Sequence, residues 1–120
     1  MGRKGTFPAG TTQSEEVEPP FGKDKDNFVA AFSNFGAEID LTAPGVGVIS
    51  TWPGGHAVLD GTSMACPAAT GAAAAILSTH AELLDLPRGS ARAEALVRAV
   101  LGRAESLGFG SLYEGQGLAR

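Results

Sequence analysis

The sequence has a single cysteine, Cys66, in 120 residues, so it contains neither an internal disulfide framework nor a metal site built from cysteines. Its two histidines, His56 and His80, lie too far apart for any common zinc spacing, and nothing else in the sequence indicates a cofactor. No apolar run reaches the length of about 18 residues that a membrane span requires. Lysine and arginine do not cluster and the formal net charge is −4, so nucleic acid is not an expected partner.

The composition is that of a small globular domain. Apolar residues make up 43% of the chain and charged residues 18%, which excludes a disordered acidic tail. The 17 glycines and 7 prolines are scattered without a collagen-like period, and they predict many tight turns. The length allows one domain at most.

The first 26 residues show no periodicity, and we predict an irregular segment over residues 1–26. Short apolar runs bounded by Gly and Pro then predict extended segments. These segments are 28–32, 39–42, 46–52 and 56–59, followed by an extended finish over 108–120.

Two helices are predicted. The first runs to about His80 and begins near Ser63 or Met64, because Pro67 fits a helix only in its first turn. The second, over 91–104, shows ordinary amphipathic periodicity. The first helix is small or apolar on every face, which is typical of a helix surrounded by protein. The remaining chain is too short to enclose it, so we interpret the sequence as the inner part of a larger domain.

Chemistry is indicated by a serine between a glycine turn and the start of this helix, in Gly61-Thr62-Ser63-Met64. A hydroxyl held there lies near the partial positive charge and free N–H groups of a helix N-terminus, which would stabilise an oxyanion. The same residues have a simpler explanation, since serine and threonine often cap helices. From these residues alone both interpretations stay open.

The longer string GTSMACPAATG, residues 61–71, resembles the motif around the nucleophile of subtilisin-like serine proteases. FSNFGAEIDLTAPGVGVIST before it, and AAAAILSTHAEL and SLYEGQGLA after it, are similar to further segments of that family in the same order. The resemblance runs from about residue 28 to residue 119. One departure is Ala68, which stands where the family often has a histidine that is not catalytic.

The resemblance implies an α/β fold: the C-terminal part of a parallel-sheet domain over 27–120, with the alanine-rich helix buried behind the nucleophile. It implies that Ser63 is the catalytic nucleophile and that its N–H is one oxyanion donor. Asp60, Gly61 and Thr62 would form the strand end and turn that lead into it, and Met64 would be an oxidation-sensitive neighbour. We expect Cys66 to be a buried structural thiol. The implied substrate is a protein or peptide, and the implied location is secreted or cell-envelope.

A serine hydroxyl needs a neighbouring base to become a nucleophile. The family's histidine and aspartate motifs, and the asparagine that completes its oxyanion hole, are not found in this sequence. Asp40, His56 and Ser63 follow the family's order but lack the neighbouring motif residues, so we reject them as a triad. We therefore expect an N-terminal remainder of the protease domain to supply these groups and the isolated chain to be inactive. The alternative is a catalytically inactive, truncated or degenerate subtilase that acts as a binding or structural module.

Overall fold

A computed structural model describes residues 1–3, 16–17 and 26–120. Within these residues there are five short strands and four helices. The strands are β1 (Gly2–Arg3), β2 (Glu16–Val17), β3 (Asn27–Ala30), β4 (Val48–Trp52) and β5 (Gly55–Leu59). The helices are α1 (Thr62–Leu77), α2 (Ala81–Leu84), α3 (Ser90–Leu101) and α4 (Ser111–Glu114).

Strand β3 is the central strand of a three-stranded sheet, with β1 and β2 antiparallel on its two sides. Gly2 lies opposite Phe28, and the ring of Phe28 occupies the space that a side chain at position 2 would need. The prediction of an irregular segment over 1–26 was therefore wrong at the residues of β1 and β2. The rest of that segment lies outside the described residues.

Strands β4 and β5 form an antiparallel hairpin whose predicted positions are confirmed. Trp52 pairs with Gly55, which leaves the two-residue turn Pro53-Gly54 with Gly54 at φ +84°. Proline followed by a glycine at positive φ is the sequence of a type II turn. A turn this short can join only antiparallel strands, because a parallel pair needs a crossover of about a dozen residues.

The parallel sheet implied by the family resemblance is not formed by the described residues, whose strands all pair antiparallel. Parallel pairing occurs there only as an isolated bridge between Thr42 and Leu118. The predicted extended piece at 39–42 is represented by this bridge and by one between Leu41 and Gly115. The mixture of helices and strands is that of an α/β chain.

Helix α1 begins at Thr62, one residue before the predicted start, and Pro67 lies in its second turn rather than its first. Proline has no N–H, so the carbonyl of Ser63 lacks the bond that residue 67 would otherwise donate. The buried part of α1 is confined to Ile76, and its other residues are exposed or half-buried. The described residues therefore do not enclose this helix.

The core lies on both faces of β3, because successive side chains of a strand point in opposite directions. One cluster contains Val29 together with Met1, Leu107, Phe109 and Leu118. The other contains Phe28, Ala30 and Val46.

The C-terminal region folds over the first cluster. Helix α3 is confirmed and ends three residues before the predicted boundary of 104. The predicted extended finish over 108–120 is instead interrupted by the single turn of α4 and continues in the bridge between Glu105 and Leu118.

Candidate active site

Ser63 lies in a sharp turn between strand β5 and helix α1. The strand ends at Leu59, Asp60 and Gly61 reverse the chain, and the helix begins at Thr62. Gly61 has φ +154° and ψ 161°, a backbone conformation that residues other than glycine rarely adopt. The strand-to-helix turn thus depends on glycine at position 61, and it leaves Ser63 exposed as the second residue of the helix.

The capping interpretation of this serine is wrong. The N-cap of α1 is Gly61, which has no side chain, and no side-chain hydrogen bond caps this helix end. The helix begins with the N–H groups of Met64 and Ala65, which both donate to the carbonyl oxygen of Gly61 at 3.1 and 3.2 Å. The N–H of Ser63 therefore has no acceptor within the helix and is available to another group.

A neighbouring loop, residues 45–47, supports the turn from the side. The N–H of Gly61 donates to the carbonyl oxygen of Gly45 at 2.7 Å. The N–H of Gly47 donates to Oδ1 of Asp60 at 2.6 Å. The N–H of Gly45 in turn donates to the carbonyl oxygen of Met1 at 2.8 Å, which connects this loop to the start of β1.

Ser63 opens onto a shallow depression on the surface. It is lined by the partly exposed side chains of Phe32 and Leu59 and by Asp60 and Met64. An exposed hydroxyl, a backbone N–H without a helical acceptor and two apolar side chains thus lie together at the start of α1.

The structure does not bring Asp40 and His56 together with Ser63. His56 pairs with Thr51 near the tip of the hairpin, whereas Ser63 follows the opposite end of β5, about 10 Å farther along the strand. Asp40 lines a groove beside Ala73 and Leu77, in the second half of α1.

His80 follows the far end of α1, a helix about 24 Å long, and its Nδ1 lies 3.0 Å from Oε1 of Glu82. A backbone hydrogen bond of Glu82 itself lowers the pKa of this carboxyl, and the bond to His80 lowers it further. Neither histidine is placed to accept the proton of Ser63.

Two neighbours of the serine were assigned roles from the sequence. Met64 is half-buried and its sulfur lies over Gly61. Cys66, expected to be a buried thiol, is exposed, because α1 has no protein packed on that side among the described residues.

The described residues contain no group of three or more histidine, cysteine, aspartate or glutamate side chains that could hold a metal ion.

The hydrogen bonds of the Asp60 carboxylate and of Glu114 were missed by the sequence analysis. Glu114 is almost fully buried, and its carboxylate accepts hydrogen bonds from the turn at 106–108. An aspartate directly before Gly-Thr-Ser was visible as a signal, but its bond to Gly47 joins positions distant in the sequence. No local pattern reveals such a contact.

Comparison with known families gives one clear match. The sequence model of the Subtilase family, Peptidase S8, matches residues 9–117. The chain belongs to the subtilase family. Membership confirms the resemblance seen in the sequence and makes this a chain of a serine protease family.

Individual subtilases match less than half of the chain. Subtilisin E of Bacillus subtilis strain 168 is 56% identical over 52 residues, which are 42% of this chain and 14% of that protein. Subtilisin of Bacillus pumilus is 56% identical over 52 residues, 42% of this chain and 19% of its own length. Subtilisin Savinase of Lederbergia lenta is 54% identical over 54 residues, 44% of this chain and 20% of its own. The matches thus span at most a fifth of these relatives.

Among the helices of the described residues, none is both long and apolar enough to cross a membrane.

Proposed function

We propose that Ser63 is the nucleophile of a subtilisin-like serine endopeptidase. The observation that carries the proposal is the exposed hydroxyl of Ser63 at the N-terminus of α1, beside a backbone N–H without a helical acceptor. In the proposed reaction Oγ bonds to the peptide carbonyl carbon while a base takes its proton. The C–N bond then breaks, the amine leaves with that proton, and water hydrolyses the acyl-enzyme.

The residues around the serine have separate roles in this proposal. The N–H of Ser63 is one donor to the developing oxyanion. Gly61 and Thr62 form the turn that presents the hydroxyl, and Met64 is an oxidation-sensitive neighbour. The substrate is a protein or peptide, in keeping with the serine protease family.

The base, the orienting acid and the asparagine of the oxyanion hole are proposed to come from an N-terminal remainder of the protease domain. This is supported by the positions of His56 and Asp40, which lie in other parts of the fold. It is also supported by the exposure of α1, whose small and apolar residues are suited to being covered by protein. A secreted or cell-envelope location is proposed from the family alone.

The separation of His56 and Asp40 from Ser63 favours a second candidate function. If nothing supplies a base, the chain is an inactive, truncated subtilase whose Ser63 depression can only bind. The 120-residue chain by itself is proposed to be inactive in either case, because a serine without its base and acid keeps little of the catalytic effect.

The test is labelling with a fluorophosphonate, which reacts only with an activated serine. We expect no labelling of the folded 120-residue chain. We expect labelling and peptide hydrolysis when residues 27–117, which the Subtilase family model matches, replace the equivalent segment of Subtilisin E, and loss of both in the Ser63→Ala variant of that hybrid. A folded hybrid that neither labels nor hydrolyses would overturn the proposed nucleophile. Labelling of the chain alone, lost on Ser63→Ala, would overturn the proposal that the base lies elsewhere.

A further inference from the structure

Two consecutive residues before the serine are bound to the same three-residue loop. Asp60 accepts the N–H of Gly47 through its side chain at 2.6 Å, and Gly61 donates its N–H to the carbonyl of Gly45 at 2.7 Å. One bond uses a carboxylate and the other a backbone amide, and they attach to the loop two positions apart. Together they fix both the position and the rotation of the Asp60-Gly61 step.

The bond to the carboxylate is the stronger kind. Hydrogen bonds with a charged acceptor are shorter and about twice as strong as neutral ones, and the N–H of Gly47 lies only 2.6 Å from Oδ1 of Asp60. The orientation of Ser63 depends on this step, since Gly61 has little conformational restraint of its own. Without the hydrogen bond that Asp60 accepts from Gly47, the bonds of Gly61 alone would hold this step, and the hydroxyl and the N–H of Ser63 would be less firmly oriented.

We propose that Asp60 is a positioning residue that holds the serine turn on the 45–47 loop and so aims Ser63. This deepens the proposed function and rests on it for its catalytic meaning, although the hydrogen-bonded arrangement can be tested without activity. Asp60 acts through Gly47 and Gly61 and does not exchange protons with the substrate. Asparagine keeps an oxygen acceptor, so Asp60→Asn should preserve the hydrogen bond from Gly47. Alanine has no acceptor, so Asp60→Ala should lose it.

The experiment compares Asp60→Asn with Asp60→Ala, which remove the same charge and differ in the acceptor. Both are made in the 120-residue chain with Ser63→Cys and Cys66→Ser, so that a single thiol reports the environment of position 63. Iodoacetamide alkylation is followed as a function of pH. Amide hydrogen exchange is followed at Gly47, with Leu107, whose N–H binds Glu114 elsewhere in the fold, as the reference for overall stability.

In Asp60→Ala we expect exchange at Gly47 to become about tenfold or more faster, with exchange at Leu107 unchanged. The midpoint of thiol alkylation should rise by about half a pH unit relative to Asp60→Asn, because the thiol is less firmly oriented toward the helix N-terminus. Equal thiol profiles for the two variants would overturn the proposal, and so would equal exchange at Gly47. If Leu107 also exchanges faster in Asp60→Ala, the role of Asp60 is general stability and the proposal fails.

These readouts need no base from another segment. The proposed nucleophile can therefore fail in the hybrid protease while the positioning role of Asp60 stands, and the reverse is equally possible.

Discussion

Gly45 and Gly61 are in direct backbone contact, with the carbonyl oxygen of Gly45 accepting the N–H of Gly61 at 2.7 Å. A Cβ at position 45 would lie 2.8 Å from the carbonyl oxygen of Gly61 and 3.0 Å from Cβ of Ala65. The same Gly61 oxygen accepts the first hydrogen bonds of helix α1. The serine turn and the start of its helix therefore both depend on a residue without a side chain at position 45.

Gly45→Ala is expected to lower the free energy of unfolding by about 1–3 kcal/mol, because the added methyl group forces the backbone of the turn to move. Urea unfolding of the dilute chain measures this. The control is Gly71→Ala, whose Cβ would meet nothing within 4 Å. That change should raise the stability by about 0.5–1 kcal/mol, since alanine favours the helix interior. A Gly45→Ala variant as stable as the original chain would contradict the close contact.

Glu114 stabilises the turn at 106–108 from inside the protein. Its carboxylate accepts the N–H of Leu107 at 2.8 Å, the N–H of Gly108 at 3.1 Å and the hydroxyl of Ser106 at 2.9 Å. Glu114→Ala would leave the buried N–H of Leu107 without its acceptor and would remove two further, part-buried hydrogen bonds of this turn. We expect the free energy of unfolding to fall by about 2–4 kcal/mol in a urea titration.

The control for Glu114 is Glu94→Gln, at an exposed carboxylate 3.6 Å from Arg98 one helical turn away. An exposed pair of this kind contributes little, so the change should stay within about 0.5 kcal/mol. If both variants lost the same small amount of stability, the buried hydrogen bonds of Glu114 would be unimportant for folding.

The amino group of Met1 should make stability depend on pH in the 120-residue chain. Burial lowers the pKa of this group below its ordinary value of 8.0. The unfolded chain therefore holds the proton more tightly than the folded chain does. While the amino group is protonated in both states, its burial lowers the stability of the folded state. The free energy of unfolding should rise as the pH rises through the folded-state pKa, and this gain should be complete above pH 8.0.

Urea unfolding at several pH values, with and without acetylation of the amino terminus, isolates this contribution. Acetylation removes the charge of the amino group at every pH and leaves the rest of the chain unchanged. The difference between the two curves is the expected effect of Met1. Two curves that stay parallel through neutral pH would show that burial of the amino group has no energetic consequence.

The elements that could be predicted from the sequence are those decided by nearby residues. The hairpin was predictable because Pro53-Gly54 separates two runs of strand-forming residues, and α3 because its apolar residues recur at helical spacing. Strand β1, in contrast, has two residues whose pairing with β3 depends on a distant segment. Pro67 misled the prediction of the start of α1, because a proline was accommodated in the second turn.

The candidate site also has one part that the sequence predicts and one part that it does not. The location of Ser63 at a strand-to-helix turn follows from the glycine turn and the alanine-rich run, which are adjacent in sequence. The support from Asp60 and Gly47 does not, because it spans 13 positions and one partner is a backbone amide that any residue provides. Sequence patterns locate Ser63, while the contacts that hold its turn become visible only in three dimensions.

The hairpin exposes apolar side chains on both of its faces. Ile49 pairs with Val58 and points to one face, whereas Trp52 lies on the other, as alternation along a strand requires. Ile49 and Trp52 are 58% and 56% exposed. Apolar side chains on an uncovered hairpin favour association with other chains.

We therefore expect the 120-residue chain to self-associate as its concentration rises, and Ile49→Lys to weaken that association about tenfold or more, because burial of an isoleucine is lost. Sedimentation velocity over a concentration series measures the change. Thr51→Lys is the matched control: it places the same charge on the same face of β4 but removes no large apolar side chain, so its effect should be smaller. Equal effects would indicate that charge at the strand edge, and not the apolar face, controls association. A chain that stays monomeric at every concentration and unfolds cooperatively would contradict the expectation.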